Sequence, residues 1–241
     1  MARYLLIWLG LVIAACNQNP TDVRAQTETA DVECHVASKE PIRFLALGDS
    51  YTIGTAVEPS ERWPVQLAGL LREKGVNVEE PKIIATRGWT TSNLLSGIER
   101  ENLTGSYDFV SVLIGVNDQV RGLSADLYRE KFIPVLERAL TLAGQKPTRV
   151  LVLSLPDWSM ARIASIQNPE KIKSEIDEFN RVNRAEAEKR GVRYIDITPS
   201  SRQAAQDRSL LAKDELHFAG QMYTTWARLV LPVACQALAG R

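Results

Sequence analysis

Five apolar runs of strand length alternate with segments of helical period along most of the chain. The first, "IRFLAL" from Ile42 to Leu47, precedes a helical pattern around residues 63–74, with Leu67, Leu70 and Leu71 on one face and Gly75 as a stop. "KIIAT" precedes a short helix near residues 92–100. "YDFVSVLIG" precedes a longer one from Ser124 to about Ala143, closed by Gly144, in which Pro134 predicts a kink. "RVLVLSL" leads through an irregular stretch into a helix opened by Asn168 and Pro169, residues suited to the N-cap and the first helical position. Ile172, Ile176, Phe179 and Val182 form the apolar stripe of that helix, and Gly191 ends it. The fifth run, "VRYIDI", is joined by a loop to a C-terminal helix from about Gln221 that carries Trp226, Leu229, Val230 and Val233.

Strands that read as apolar on both faces, separated by helices, predict an α/β fold: a parallel sheet covered on both sides. The 241 residues suit one such domain. Composition changes little, since 45% apolar and 24% charged residues are ordinary globular values that argue against disorder. Lys+Arg and Asp+Glu are both 29, so no basic stripe points to nucleic acid and no charged tail points to an electrostatic partner. A monomer is expected.

The first 40 residues break the pattern. Arg3 is followed by an apolar run from Tyr4 to Ala15, too short for a comfortable membrane span and suited to a signal peptide over residues 1–15. "IAAC", Ile13 to Cys16, resembles the bacterial lipobox, in which the cysteine becomes the acylated N-terminus. Cys16 is therefore the expected lipid anchor, residues 16–40 the flexible tether and residues 41–241 the folded domain. The chain would then be exported and held in the cell envelope, at the outer membrane or cell surface, with Cys16 its only link to a membrane. Without lipidation it would be periplasmic or secreted. His35 lies in the polar tether and reads as a solvated bystander. Cys34 and Cys235 flank the domain; they either pair in an oxidising compartment or stay as free thiols.

Candidate chemistry follows from the fold class, because ligands of open α/β sheets bind beyond the carboxyl ends of the strands. Gly48, Asp49 and Ser50 follow the first run, and Arg87, Gly88 and Trp89 the second. Gly115, Val116, Asn117 and Asp118 follow the third, and Asp214 and His217 lie in the loop after the fifth. A serine hydroxyl needs a base to act as a nucleophile at neutral pH. His217 is the one histidine in the domain, and Asp214 three residues earlier suits a carboxylate that fixes its tautomer. Taken singly, Asn117 also reads as a loop cap and Gly88 as a turn glycine.

In order, "GDSYTIG", "RGWTTSNLL", "IGVND" and "DELH" resemble the four blocks of the SGNH (GDSL) hydrolases over roughly residues 42–238. The resemblance implies a flavodoxin-like three-layer α/β/α sandwich around a five-stranded parallel sheet. It implies an esterase mechanism through an acyl-enzyme, with Ser50 as nucleophile, His217 as base and Asp214 as its orienting acid. The oxyanion hole would comprise the N–H groups of Ser50 and Gly88 and the Asn117 side chain. Two positions depart from the family pattern: Tyr51 stands in place of leucine, and Asn93 in place of an aspartate that braces a loop.

Asp49 and Asp118 read as loop braces through local backbone hydrogen bonds. Trp89, Trp158, Met160, Ile163 and Ile166 either wall a substrate pocket or pack in the core. The expected partner is a small-molecule or glycan ester, with short acyl chains preferred. No G-x-G-x-x-G, Walker A or H-E-x-x-H motif occurs, so neither cofactor nor metal is expected. Thr52, two residues after Ser50, breaks the G-x-S-x-G elbow of the α/β-hydrolases. Acyl transfer to a sugar or alcohol and a non-catalytic binding lipoprotein remain the alternatives.

Overall fold

A computed structural model describes residues 32–37 and 40–240. The signal peptide, Cys16 and most of the tether lie outside the described residues. Five strands form one parallel sheet: β1 Phe44–Gly48, β2 Lys82–Ala85, β3 Phe109–Leu113, β4 Val150–Leu153 and β5 Arg193–Ile195, in the order β2-β1-β3-β4-β5. Every residue of β1, β3 and β4 is buried, which is why these strands read as unbroken apolar runs. The edge strands β2 and β5 are partly open.

The helices are α1 Ser50–Ile53, α2 Trp63–Glu73, α3 Thr91–Arg100, α4 Val116–Val120, α5 Ala125–Leu142, α6 Pro169–Lys189, α7 Thr198–Arg202 and α8 Gly220–Leu238. α2 packs on α8, while α3, α5 and α6 pack in series, and the two groups cover the two sides of the sheet. This is the α/β sandwich expected from the sequence. Trp63 on α2 and Trp226 on α8 are both fully buried, each worth roughly 3 kcal/mol relative to exposure.

The local signals act through identifiable contacts. Asn168 caps α6 by accepting the Lys171 N–H at 3.1 Å. Ser124 caps α5, and that helix continues through Pro134. Gly75, Gly144 and Gly191 take positive φ where their helices stop. On α8 the structure differs from the expectation: Leu229 faces solvent, because the buried face follows Met222, Trp226, Val230 and Ala234 at helical spacing.

Residues 32–37 are not free tether. Val32, Cys34 and Val36 pack against the core on alternate positions, and Cys34 is joined to Cys235 of α8 as a disulfide with Cα atoms 4.8 Å apart. Among the described residues, no helix is long and apolar enough to cross a membrane.

The topology prepares a site. The chain leaves β1 towards β2 on one side and returns to β3 on the other. The carboxyl ends of β1 and β3 therefore border a crevice where the winding reverses. Gly48 at the end of β1 is in register with Leu113 at the end of β3.

Candidate active site

Ser50 follows β1 and opens α1. Asp49 caps this short helix, its carboxylate accepting the Tyr51 N–H at 3.0 Å, and Gly54 closes it in the left-handed region. Gly48 is required where it stands, because a Cβ there would lie 2.6 Å from the Leu113 carbonyl oxygen and press on the Thr52 side chain. Asp49 is fully buried. Burial pushes its carboxyl up to about 7, opposed by the Tyr51 N–H and reinforced by the negative charge of Asp118.

His217 stands in a hairpin closed by the Leu211–Phe218 bridge and by Ala212 N–H to the His217 carbonyl at 2.8 Å. Asp214 organises its tip. One carboxylate oxygen accepts the N–H groups of Leu216 at 3.1 Å and His217 at 2.9 Å, and the other meets His217 Nδ1 at 2.6 Å. Partial burial favours protonation of Asp214, but the bonds from the His217 ring and the two N–H groups outweigh it and hold the carboxyl below its ordinary value. A carboxylate on Nδ1 leaves Nε2 as the nitrogen free to take a proton.

Tyr51 brings the two turns together. Its ring lies 5.4 Å from the His217 ring, 5.8 Å from Phe218 and 6.4 Å from Trp226, centroid to centroid. The residue that replaces the family's leucine is thus the packing link between nucleophile turn and histidine turn.

Ser50, Asn117 and His217 line one cavity of about 160 Å³, together with Tyr51, Val116, Val120, Trp158, Ile163, Gln167 and Leu216. No hydrogen bond joins Ser50 Oγ to His217 among the described residues. Asn117 donates one amide hydrogen to the Trp89 carbonyl at 2.9 Å, which fixes the side chain and leaves its second hydrogen for a ligand. Gly88 takes φ 82°, and a Cβ there would meet nothing within 4 Å. Its glycine character therefore serves the turn rather than close approach. Gly88 does not line the cavity, and its carbonyl accepts a long bond of 3.4 Å from Arg121.

The structure separates the side chains for which the sequence left pocket and core both open, and it gives Asp118 a partner other than the expected local one. Trp89 is outside the cavity, because its indole lies over Gly97 of α3, where any Cβ would collide with it. Met160 is also outside, partly buried against the core, with its carbonyl accepting from Arg208 at 2.6 Å. Trp158 does line the cavity, held by Nε1–H donation to Gln119 Oε1 at 2.9 Å. Asp118 is not a local brace: its two oxygens accept the Thr91 N–H at 2.9 Å and the Thr91 hydroxyl at 2.8 Å, tying α4 to the start of α3. Asn93 retains a bracing bond, since its Oδ1 accepts the Thr90 N–H at 3.1 Å in a capping box.

A larger cavity of about 260 Å³ lies between α6, β5 and α7. Arg202 there pairs with Asp157 and Asp177, and Arg184 with Asp196, so its charges largely answer one another. It contains none of the candidate residues. Among the described residues no cluster of three or more His, Cys, Asp or Glu could hold a metal ion.

The sequence model of the GDSL-like lipase/acylhydrolase family matches residues 46–224. No curated protein matches the chain. Among solved structures, a putative GDSL-like lipase from Parabacteroides merdae is similar with TM-score 0.65 and 16% identity, covering 85% of this chain and 99% of that one. A lipase/acylhydrolase from Enterococcus faecalis gives TM-score 0.62 and 23% identity, covering 79% and 93%. AlinE4, an SGNH-hydrolase family esterase, gives 0.57 and 24%, covering 75% and 88%. At these identities the structural likeness speaks to the fold.

Proposed function

Because the chain belongs to the GDSL-like lipase/acylhydrolase family, we propose that it hydrolyses carboxylic esters through an acyl-enzyme formed on Ser50. The observation that carries this reading is the convergence of Ser50, Asn117 and His217 on one cavity, with Asp214 seated on the far nitrogen of His217. Ser50 Oγ attacks the ester carbonyl while His217 Nε2 takes its proton. Asp214 holds the imidazole in that tautomer and stabilises the imidazolium. The developing oxyanion is met by the Ser50 N–H and by the free amide hydrogen of Asn117, which both belong to the cavity; the Gly88 N–H, outside the cavity lining, joins them only if its turn moves on substrate binding. His217 returns its proton to the leaving alcohol, and water repeats the cycle on the acyl-enzyme. Contacts between nucleophile and base commonly tighten only with substrate bound. Support for export to an oxidising compartment comes from the Cys34–Cys235 pairing; Cys16 is then the proposed anchor.

The test is hydrolysis of p-nitrophenyl butanoate by wild type and Ser50→Ala. The expected loss in kcat is about 10⁶-fold, as for other triads acting as a unit. Turnover that survives in Ser50→Ala overturns the reading.

A further inference from the structure

Five large hydrophobic side chains stand exposed among the described residues, and they are not scattered evenly. Val120, 54% exposed, and Ile163, 50% exposed, both line the cavity that holds Ser50 and His217. Ile166, 83% exposed, lies three residues further along the same 3-10 turn, Arg162–Ile166. Single exposed aliphatics are ordinary, but two that line one cavity, with a third one 3-10 turn along the chain from Ile163, mark a surface that something apolar covers. The cavity lining is mostly apolar apart from Ser50, Asn117, Gln167 and His217, and no Asp, Glu, Lys or Arg contributes to it. Its volume of about 160 Å³ is roughly half the ~300 Å³ at which pockets for drug-sized ligands begin. It can enclose the reacting end of a substrate, and a longer chain must continue over the open side.

We propose that Val120, Ile163 and Ile166 form an acyl-binding lip, so that the preferred substrates are esters of uncharged, medium-length aliphatic acids. The carbonyl end occupies the cavity, and the following methylenes lie across the three side chains. This rests on the Ser50-dependent hydrolysis proposed above and departs from the short-chain preference expected from the sequence. An acetyl group would leave the lip uncovered. A charged acyl group would find no counter-charge in the wall.

The experiment measures kcat/KM for p-nitrophenyl acetate, butanoate, hexanoate and octanoate, each below its aggregation concentration, with octanoate also assayed above it. The proteins are wild type, Val120→Ser, Ile163→Ser, Ile166→Ser, the Val120→Ser/Ile163→Ser double variant and Leu229→Ser. Leu229, 39% exposed on α8, serves as an exposed leucine outside the cavity. Wild type is expected to gain about twofold to fourfold per methylene that reaches the lip. The octanoate-to-acetate ratio should fall at least tenfold in the double variant, by less in each single variant, and stay at the wild-type value in Leu229→Ser. A wild-type series that is flat or falling overturns the lip, and so does an unchanged ratio in the double variant. Activity that appears only above the aggregation concentration also overturns it, because the exposed side chains would then meet a lipid surface rather than a single chain. Ser50→Ala is run alongside: its residual turnover would sink the hydrolytic reading itself, whereas a flat series that still depends on Ser50 sinks the lip alone.

Discussion

Gly48, Asp49, Ser50, Tyr51 and Thr52 are all buried, whereas the tip of the other turn, Lys213 to Glu215, stands out in solvent between buried flanks, with His217 and Phe218 turned inside. The first turn is held from outside itself, by the pairing of β1 with β3 up to Gly48 and Leu113 and by the aromatic stack around Tyr51. The second is held mostly from within, by three bonds to the single carboxylate of Asp214. The nucleophile is thus placed by the core and the base by a surface turn. A change in the first should disturb folding and chemistry together, and a change in the second should separate them.

The largest separation is expected from Asp214→Asn. An amide presents a donor to Nδ1 and favours the wrong imidazole tautomer, so kcat should drop about 10⁴-fold. The side chain is 31% exposed, and the amide oxygen can still accept the Leu216 and His217 N–H groups. The midpoint of urea unfolding at pH 7 should therefore fall only by the modest contribution that the depressed carboxyl makes. A collapse of stability alongside activity would show that the histidine turn is as deeply tied to the core as the serine turn.

A pH titration sharpens the same contrast with opposite signs. The Asp49 carboxyl is raised from 3.8 to about 7 in the folded protein, so the folded state binds its proton more tightly than the unfolded chain does. Its stabilising effect is complete below the unfolded value and is lost as pH rises to about 7. A rise of about three pH units at ~1.4 kcal/mol each amounts to about 4 kcal/mol. Asp49→Asn cannot ionise, so relative to wild type it should become more stable by up to that amount between pH 4 and 8 in urea unfolding. Asp214 is depressed in the fold, so its contribution is present above its unfolded value and fades as pH falls. Asp214→Asn should accordingly lose ground to wild type as pH rises from 3 to 5. Parallel pH dependence in the two variants would contradict the distinction between a carboxyl strained by burial and one satisfied by hydrogen bonds.

Legibility in the sequence follows the same division between local and long-range causes. The strands, the capped start of α6 and the position of Ser50 after β1 rest on runs and spacings of a few residues, and the structure presents them as expected. The Asp214–His217 contact is also local, three residues apart on one turn. Trp89 and Trp158 were equivalent as sequence, two tryptophans after two strands. Their fates diverge because Gly97 on α3 leaves a slot for one indole and Gln119 on α4 holds the other at the cavity. Tyr51, Val116, Val120, Gln167 and Leu216 were missed as cavity residues for the same reason, since loop paths decide which side chains face the opening. Asp118 reaches a threonine 27 residues earlier, which no window of helical or strand length would reveal. The alternation of Val32, Cys34 and Val36 did carry a period-two signal, but over too few residues to separate extended chain from tether.

The smallest effects test the backbone of each turn directly. In Gly48→Ala the new methyl group would sit 2.6 Å from the Leu113 carbonyl oxygen, part of a neighbouring central strand that cannot yield cheaply. Overpacking of this kind costs about 1–3 kcal/mol, and because the strand end would shift, activity should fall with stability. Glu215, at the tip of the histidine turn, takes φ 54°, a left-handed conformation that a non-glycine residue holds at a cost of about 1 kcal/mol. Glu215→Gly relieves that strain. It also removes an ion pair with Arg162, 3.5 Å long between largely exposed side chains and worth at most about 1 kcal/mol. The backbone bond from the Arg162 N–H to the Glu215 carbonyl is untouched. Stability should therefore change by less than about 1 kcal/mol in either direction, and kcat should stay near wild type because Asp214 still organises the turn. If Glu215→Gly instead lowers kcat as Asp214→Asn does while Gly48→Ala is neutral, the two turns have been assigned the wrong supports.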